Sequence, residues 1–243
     1  MAQLAARAAA QRGRFFVALS GGSALDLMMA GFRTEPARDD ENWSQWHVFW
    51  ADERWVPWDS PESNYGRARR PFLDLVPIPA QQIHAVDCSL SPSDAAEHYE
   101  SVLENVLRPE KGRAPQFDLI LLGLGQDGHI ASLFPDHPAL QETLRWVLPV
   151  FDAPKPPPVR ITLTLPVINQ ARHVIFAAIG KNKAQIVARV LHGRETPSPL
   201  PAQRVRPVDG DVRWFLDQEA AASLSAFGDG AVRGSSPGKS ATP

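Results

Sequence analysis

The chain has 243 residues, 44% of them hydrophobic and 21% charged, which suffices for one large core or two small ones in an ordinary globular protein. A formal charge of −2 without a long basic stripe argues against nucleic acid as a partner, and no apolar stretch reaches the length of a membrane span. The single cysteine, Cys88, cannot form an internal disulfide, which favours a reducing compartment.

Residues 1–14 are alanine-rich, with Arg7, Arg12 and Arg14 and no acid. They carry either a weak transit signal or, more simply, a surface helix feeding the first strand, and they lack the apolar core of a secretory signal. Residues 15–19 are an apolar run that ends in Ser20-Gly21-Gly22-Ser23, a pattern of strand, glycine turn and helix with Ser23 placed to cap. Such a turn is equally a tight strand–helix connection or an anion site at a helix start. Residues 46–51 predict a second strand, and Asp52-Glu53-Arg54 arrives at its carboxyl end as either a solvated loop or part of a polar site. A turn-rich segment, Ser60-Pro61-Glu62-Ser63-Asn64-Tyr65-Gly66, precedes a helix expected over residues 67–75. Residues 83–86 form a weak strand candidate. Ser91-Pro92-Ser93-Asp94 has the signature of a helix start, with Ser91 as cap and Pro92 at the first position. Ala95, Tyr99, Val102, Leu103 and Val106 then keep helical spacing, and His98 falls on the surface side.

The stretch with the strongest chemical signal runs from Phe117 to His129. It begins as a continuous apolar run, the pattern of a strand buried on both faces of a parallel sheet. It then breaks into Gly123, Gly125 and Gly128, with Asp127 and His129 at the end. Open α/β sheets place ligands where buried strands open into such turns, although these residues alone also fit a tight turn with an incidental surface histidine. The glycine spacing matches a dinucleotide fingerprint, but it runs straight into Asp-Gly-His and needs no ribose-binding acid. Ile130-Ala131-Ser132-Leu133 is read as the start of a helix, which would put the imidazole at a strand–helix junction.

Residues 146–150 are extended, residues 154–158 form a stiff proline-rich crossing, and residues 160–165 alternate Ile and Leu with Thr in strand fashion. Residues 174–179 predict a further buried strand. Gly180-Lys181-Asn182-Lys183-Ala184 then opens a helix with two lysines in its first turn, where they oppose the helix dipole. Those lysines either point into water or hold an anion. Residues 214–217 form a last strand before a capped helix. From Ala226 the composition turns to Gly, Ser and Pro, a disordered tail over residues 225–243.

Taken in order, these motifs resemble the 6-phosphogluconolactonase family. The segments that carry the resemblance are residues 19–23, Asp52-Glu53-Arg54 with residues 62–66, Gly123 to His129, residues 160–164 and residues 180–184. The resemblance implies a Rossmann-like α/β three-layer sandwich with a mostly parallel sheet. That fold is shared with glucosamine-6-phosphate deaminases and ribose-5-phosphate isomerases. It also implies hydrolysis of 6-phospho-D-glucono-1,5-lactone, the second step of the oxidative pentose phosphate pathway, in the cytoplasm and with no metal or organic cofactor. The implied partner is the small sugar-phosphate lactone.

By position in the motifs, His129, Asp127 and Arg54 resemble the catalytic set. Gly21, Gly22, Ser23, Arg160 and Lys183 resemble the phosphate set, and Asp52, Glu53, Asn64, Gly125 and Gln126 join them as substrate-binding residues. Residues 1–224 are expected to form one domain. The family's strand–helix unit ahead of the Gly-Gly-Ser turn is expected to be absent, since about a dozen residues precede the first strand. A deaminase or isomerase of the same superfold is the nearest alternative, but such deaminases follow Asp-Gly-His with an Asn-Glu-Pro motif that is missing from residues 130–137. A silent sugar-phosphate sensor is the other alternative, and it would be expected to lose Asp127 or His129.

Overall fold

The computed structural model describes residues 1–34, 42–193 and 198–224. Among them are eight strands: β1 (Phe15–Leu19), β2 (Trp46–Trp50), β3 (Asp52–Arg54), β4 (Leu119–Gly123), β5 (Val147–Val150), β6 (Arg160–Leu163), β7 (His173–Ala178) and β8 (Asp211–Leu216). The α-helices are α1 (Ala2–Arg12), α2 (Ser23–Thr34), α3 (Asn64–Arg69), α4 (Pro92–Leu107), α5 (Leu165–Ile168), α6 (Ala184–His192) and α7 (Gln218–Ala221). The tail expected from residue 225 lies outside the described residues.

Five strands form a wholly parallel sheet in the order β2-β1-β4-β7-β8. Successive strand residues point to opposite faces, so each apolar run feeds two cores. Phe15, Val17, Leu19, Leu119, Leu121 and Ile175 face Leu4 and Ala8 of α1 and Leu25 and Met29 of α2. Phe16, Ala18, Ile120, Leu122, Val174 and Phe176 face Tyr99 and Leu103 of α4, Ile186 and Val187 of α6, and a second sheet. That second sheet is antiparallel, in the order β3-β6-β5, and contributes Val147, Val150, Ile161 and Leu163 to the core. This is the α/β sandwich with a mostly parallel sheet that the resemblance implied.

Several expectations need correction. Asp52-Glu53-Arg54 is a strand rather than a loop, because the chain leaves the parallel sheet at Ala51 and pairs with β6. Ala51 is bonded to both sides, its N–H donating to the Leu19 carbonyl and its carbonyl accepting from Leu163 N–H. Residues 83–86 make only one bridge, Ile83 to Val48. The helix expected over 67–75 begins earlier, at Asn64, where the Ser63 hydroxyl accepts from Gly66 N–H at 3.0 Å. It ends at Arg69: Arg70 keeps helical backbone, but Pro71 has no N–H to continue the helical ladder. Residues 130–133 start no helix. Ile130 and Leu133 are both fully buried and bond to each other across a tight turn, and Ala131 between them takes a φ of 46°.

The cap at Ser91 forms as expected: its hydroxyl accepts from Asp94 N–H at 3.2 Å and donates to the Asp94 carboxylate at 2.6 Å. Ser91→Ala should cost about 1 kcal/mol of unfolding free energy in urea titration. An unchanged midpoint would show that the cap contributes nothing.

This topology positions a site. From β1 the chain passes through α2 to β2 on one side, while β4 lies on the other, so connections diverge at the carboxyl ends of β1 and β4. Open sheets leave a crevice at such a switch point.

Candidate active site

Three segments meet at that crevice: the turn after β1, strand β3, and the loop after β4. The cleft they enclose has a volume of about 350 Å³. Ser20, Gly21 and Gly22 form its floor, and Ser23 is the first residue of α2 rather than the residue before it. Gly22 fills the capping position, with a φ of 69° and its carbonyl accepting from Asp26 N–H. Gly21 has no room for a side chain, since a Cβ there would lie 2.0 Å from Asn64 Oδ1.

Strand alternation sorts the three charges of β3. Asp52 and Arg54 line the cleft, whereas Glu53 points away and is fully buried. The Asp52 carboxylate is a fastener, accepting from Ser20 Oγ at 2.9 Å and Ser132 Oγ at 2.8 Å. Its backbone carbonyl accepts from Asn64 Nδ2 at 2.8 Å, so one residue ties the β1 turn, α3 and the loop after β4 together. Glu53 accepts from the N–H groups of Arg54, Asn64 and Tyr65 and from the Ser63 hydroxyl. Burial nevertheless pushes its carboxyl up to about 7. Glu53 and Asn64, expected among the substrate contacts, do not line the cleft and build the wall behind it.

Arg54 donates from one terminal nitrogen to the Glu62 carbonyl at 3.2 Å. The side chain lines the cleft, and its Nε–H is buried with no partner. An unpaired buried donor carries a desolvation cost that a ligand oxygen would relieve.

The loop after β4 is closed by Gly125 N–H to the His129 carbonyl at 2.9 Å and Gly128 N–H to the Gly125 carbonyl at 3.0 Å. Gly125 is obligatory, because a Cβ would fall 2.0 Å from His129 Nδ1 and 2.4 Å from Asp127 Oδ1. His129 Nδ1 donates to Asp127 Oδ1 at 2.5 Å, and the ring packs 4.7 Å from Phe134. Burial raises the Asp127 pKa, but the hydrogen bond and charge of His129 and the bond from Lys155 outweigh it and hold this carboxyl well below the usual range. An ionised Asp127 can only accept, so Nδ1 carries the proton and Nε2 is left for a ligand. Gln126 also lines the cleft.

Two lysines complete the cleft. Lys183 donates to the Leu124 carbonyl at 2.6 Å, and partial burial, then the charge of Lys155, lower its pKa. Lys155 was not among the expected residues. Its Nζ lies 3.1 Å from Asp127 Oδ2 and 3.3 Å from His129 Nδ1. A lysine inside a run of prolines gives no chemical signal in sequence.

Arg160 is the remaining residue of the expected phosphate set. It is buried and does not line the cleft. Its guanidinium donates to the carbonyls of Pro157 at 2.8 Å, Lys155 at 3.0 Å and Pro156 at 3.3 Å. These bonds fold residues 154–158 into a bent loop instead of the stiff crossing expected. Among the described residues, no group of three or more His, Cys, Asp or Glu side chains is placed to hold a metal ion.

The fold and its cleft define a class: α/β proteins with a small cleft at the carboxyl edge of a parallel sheet, lined by cationic side chains and a histidine paired to a carboxylate. Within that class, the model of the family described as glucosamine-6-phosphate isomerases/6-phosphogluconolactonase matches residues 1–214, and the chain belongs to that family. It is 45% identical to the 6-phosphogluconolactonase of Rattus norvegicus over 232 residues, covering 93% of this chain and 88% of the rat protein. It is 44% identical over 230 residues to a probable chloroplastic 6-phosphogluconolactonase of Oryza sativa subsp. indica, covering 92% of this chain and 71% of the rice protein. The solved 6-phosphogluconolactonase of Trypanosoma cruzi superposes with a TM-score of 0.79 at 32% identity, covering 92% of this chain and 89% of the other.

Proposed function

We propose that the chain hydrolyses 6-phospho-D-glucono-1,5-lactone to 6-phospho-D-gluconate, with His129 as general acid and base. It is an enzyme of its family and groups with the lactonases, hydrolases acting on a sugar lactone. The observation that carries the mechanism is His129, with Nδ1 fixed by Asp127, sharing a small cleft with the Arg54 side chain. In this reading His129 Nε2 takes a proton from water as the water oxygen adds to the lactone carbonyl carbon. Arg54 stabilises the oxyanion that develops. The intermediate collapses by breaking the bond to the ring oxygen, which receives the proton back from the imidazolium. The ionised Asp127 holds the tautomer and stabilises the imidazolium between the two transfers.

The Gly21-Gly22-Ser23 turn, with the N–H groups at the start of α2, and Lys183 receive the 6-phosphate. Residues 1–224 act as one domain carrying the whole site. A cytoplasmic location belongs to the same reading, supported by the unpaired Cys88. No helix among the described residues is long and apolar enough to cross a membrane.

The direct test is lactone hydrolysis corrected for the spontaneous rate, with glucosamine-6-phosphate deamination measured in parallel. Acceleration of the deamination alone, or of neither, would sink the proposal. Residue roles separate by substrate. Lys183→Ala should lower kcat/KM for the phosphorylated lactone by roughly 10- to 100-fold, the value of one charge-assisted phosphate contact, and should spare unphosphorylated gluconolactone. Arg160→Ala should depress both lactones alike, because it acts through the 155–157 backbone. Sparing of the unphosphorylated lactone in the Arg160 variant would return that arginine to the phosphate.

A further inference from the structure

Lys155 occupies a place that neither phosphate binding nor proton transfer alone explains. Asp127 is shared between two cations: Oδ1 takes the His129 Nδ1–H at 2.5 Å and Oδ2 takes the Lys155 ammonium at 3.1 Å. The ammonium also stands 3.3 Å from His129 Nδ1. Both nitrogens are donors, so this last approach is a charge held against the ring rather than a hydrogen bond. Lys155 thus holds a positive charge beside the imidazole and competes with it for the same carboxylate.

The lysine is nonetheless free to turn toward a ligand. Its side chain is 43% exposed and lines the cleft. Its backbone is anchored independently, since Arg160 bonds the carbonyl of residue 155. It is close enough to Lys183 for the two charges to disfavour each other. An anion entering the cleft would sit between two ammonium groups that repel while it is empty.

We propose that Lys155 is a positioning residue that couples anion binding to the basicity of His129. When the phosphate of the substrate enters, it compensates the Lys155 charge and draws the ammonium from Asp127, leaving that carboxylate to His129 alone. The base gains strength when the phosphorylated substrate is in place, so the phosphate contributes to turnover as well as to affinity. The other charged groups lining the cleft with His129 are Asp52 and Arg54 of β3 and Lys183, of which Lys183 also lies in the field of Asp127. The inference rests on the lactonase reading for its substrate, whereas its physical content is a link between an anion and one imidazole.

The test is an NMR titration of the His129 ring in full-length wild type, Lys155→Met and Lys155→Arg, without and with saturating inorganic phosphate. In wild type, phosphate should raise the titration midpoint by roughly 0.5–1 pH unit. In Lys155→Met the midpoint should already be raised by a similar amount without phosphate, and the further shift should shrink to less than half. Lys155→Arg should behave as wild type. A phosphate-free midpoint unchanged in Lys155→Met, or a phosphate shift equal in that variant and wild type, overturns the proposal. Should Lys155→Met bind phosphate too weakly to saturate, the phosphate-free midpoint decides alone. The readout needs no catalysis. A protein that shows the coupling but hydrolyses no lactone would therefore contradict the proposed function and leave the link standing.

Discussion

His129→Asn should lower kcat for the phosphorylated lactone by roughly two to four orders of magnitude with KM changed little, the loss expected when a general acid–base group is removed. The amide matches the ring in polarity and can still donate to Asp127, but it can neither take a proton from water nor return one to the ring oxygen. Retention of more than about half of wild-type kcat would remove His129 from the chemistry.

The second large effect is expected at Arg54. Removing one donor to a developing oxyanion typically costs about 10²–10³ in kcat. Arg54→Met keeps much of the aliphatic stem and deletes the guanidinium, including its buried, unpartnered Nε–H. Turnover of phosphorylated and unphosphorylated lactone should fall together, because both present the same carbonyl. Arg54→Lys should recover little, as an ammonium reproduces neither the direction of Nε–H nor the second bond that reaches the Glu62 carbonyl. A selective loss on the phosphorylated lactone would reassign Arg54 to the phosphate.

The parts of the molecule that were legible in sequence are those whose signal is local. β1, β4 and β7 are apolar runs long enough for only one reading, and Ser91 with Pro92 announces α4 within four residues. The His129–Asp127 pair was legible for the same reason, being two residues apart across a glycine. β3 was not, because three charged residues carry no strand propensity and their pairing partners, Arg160 to Thr162, lie far along the chain. Ile130 and Leu133 fit a helical turn and a tight turn equally well by spacing. The left-handed Ala131 between them decides the matter only in the folded chain. Arg160 shows a further limit: a charge in a matching motif does not reveal whether it faces a ligand or the backbone of its own loop. Lys155 shows the converse, a side chain brought to the imidazole by those loop carbonyls.

The crossing at Ala51 has a consequence for how the protein fails on heating. This one residue separates β2 of the parallel sheet from β3 of the antiparallel one, and it is bonded to Leu19 on one side and Leu163 on the other. The wall bearing Asp52 and Arg54 is therefore no independent flap. It is the seam along which two sheets are sewn, with both cores beneath it. Loosening of either sheet would pull on that wall, so the Asp52 and Arg54 side of the cleft should be lost together with the sheets and not in a transition of its own.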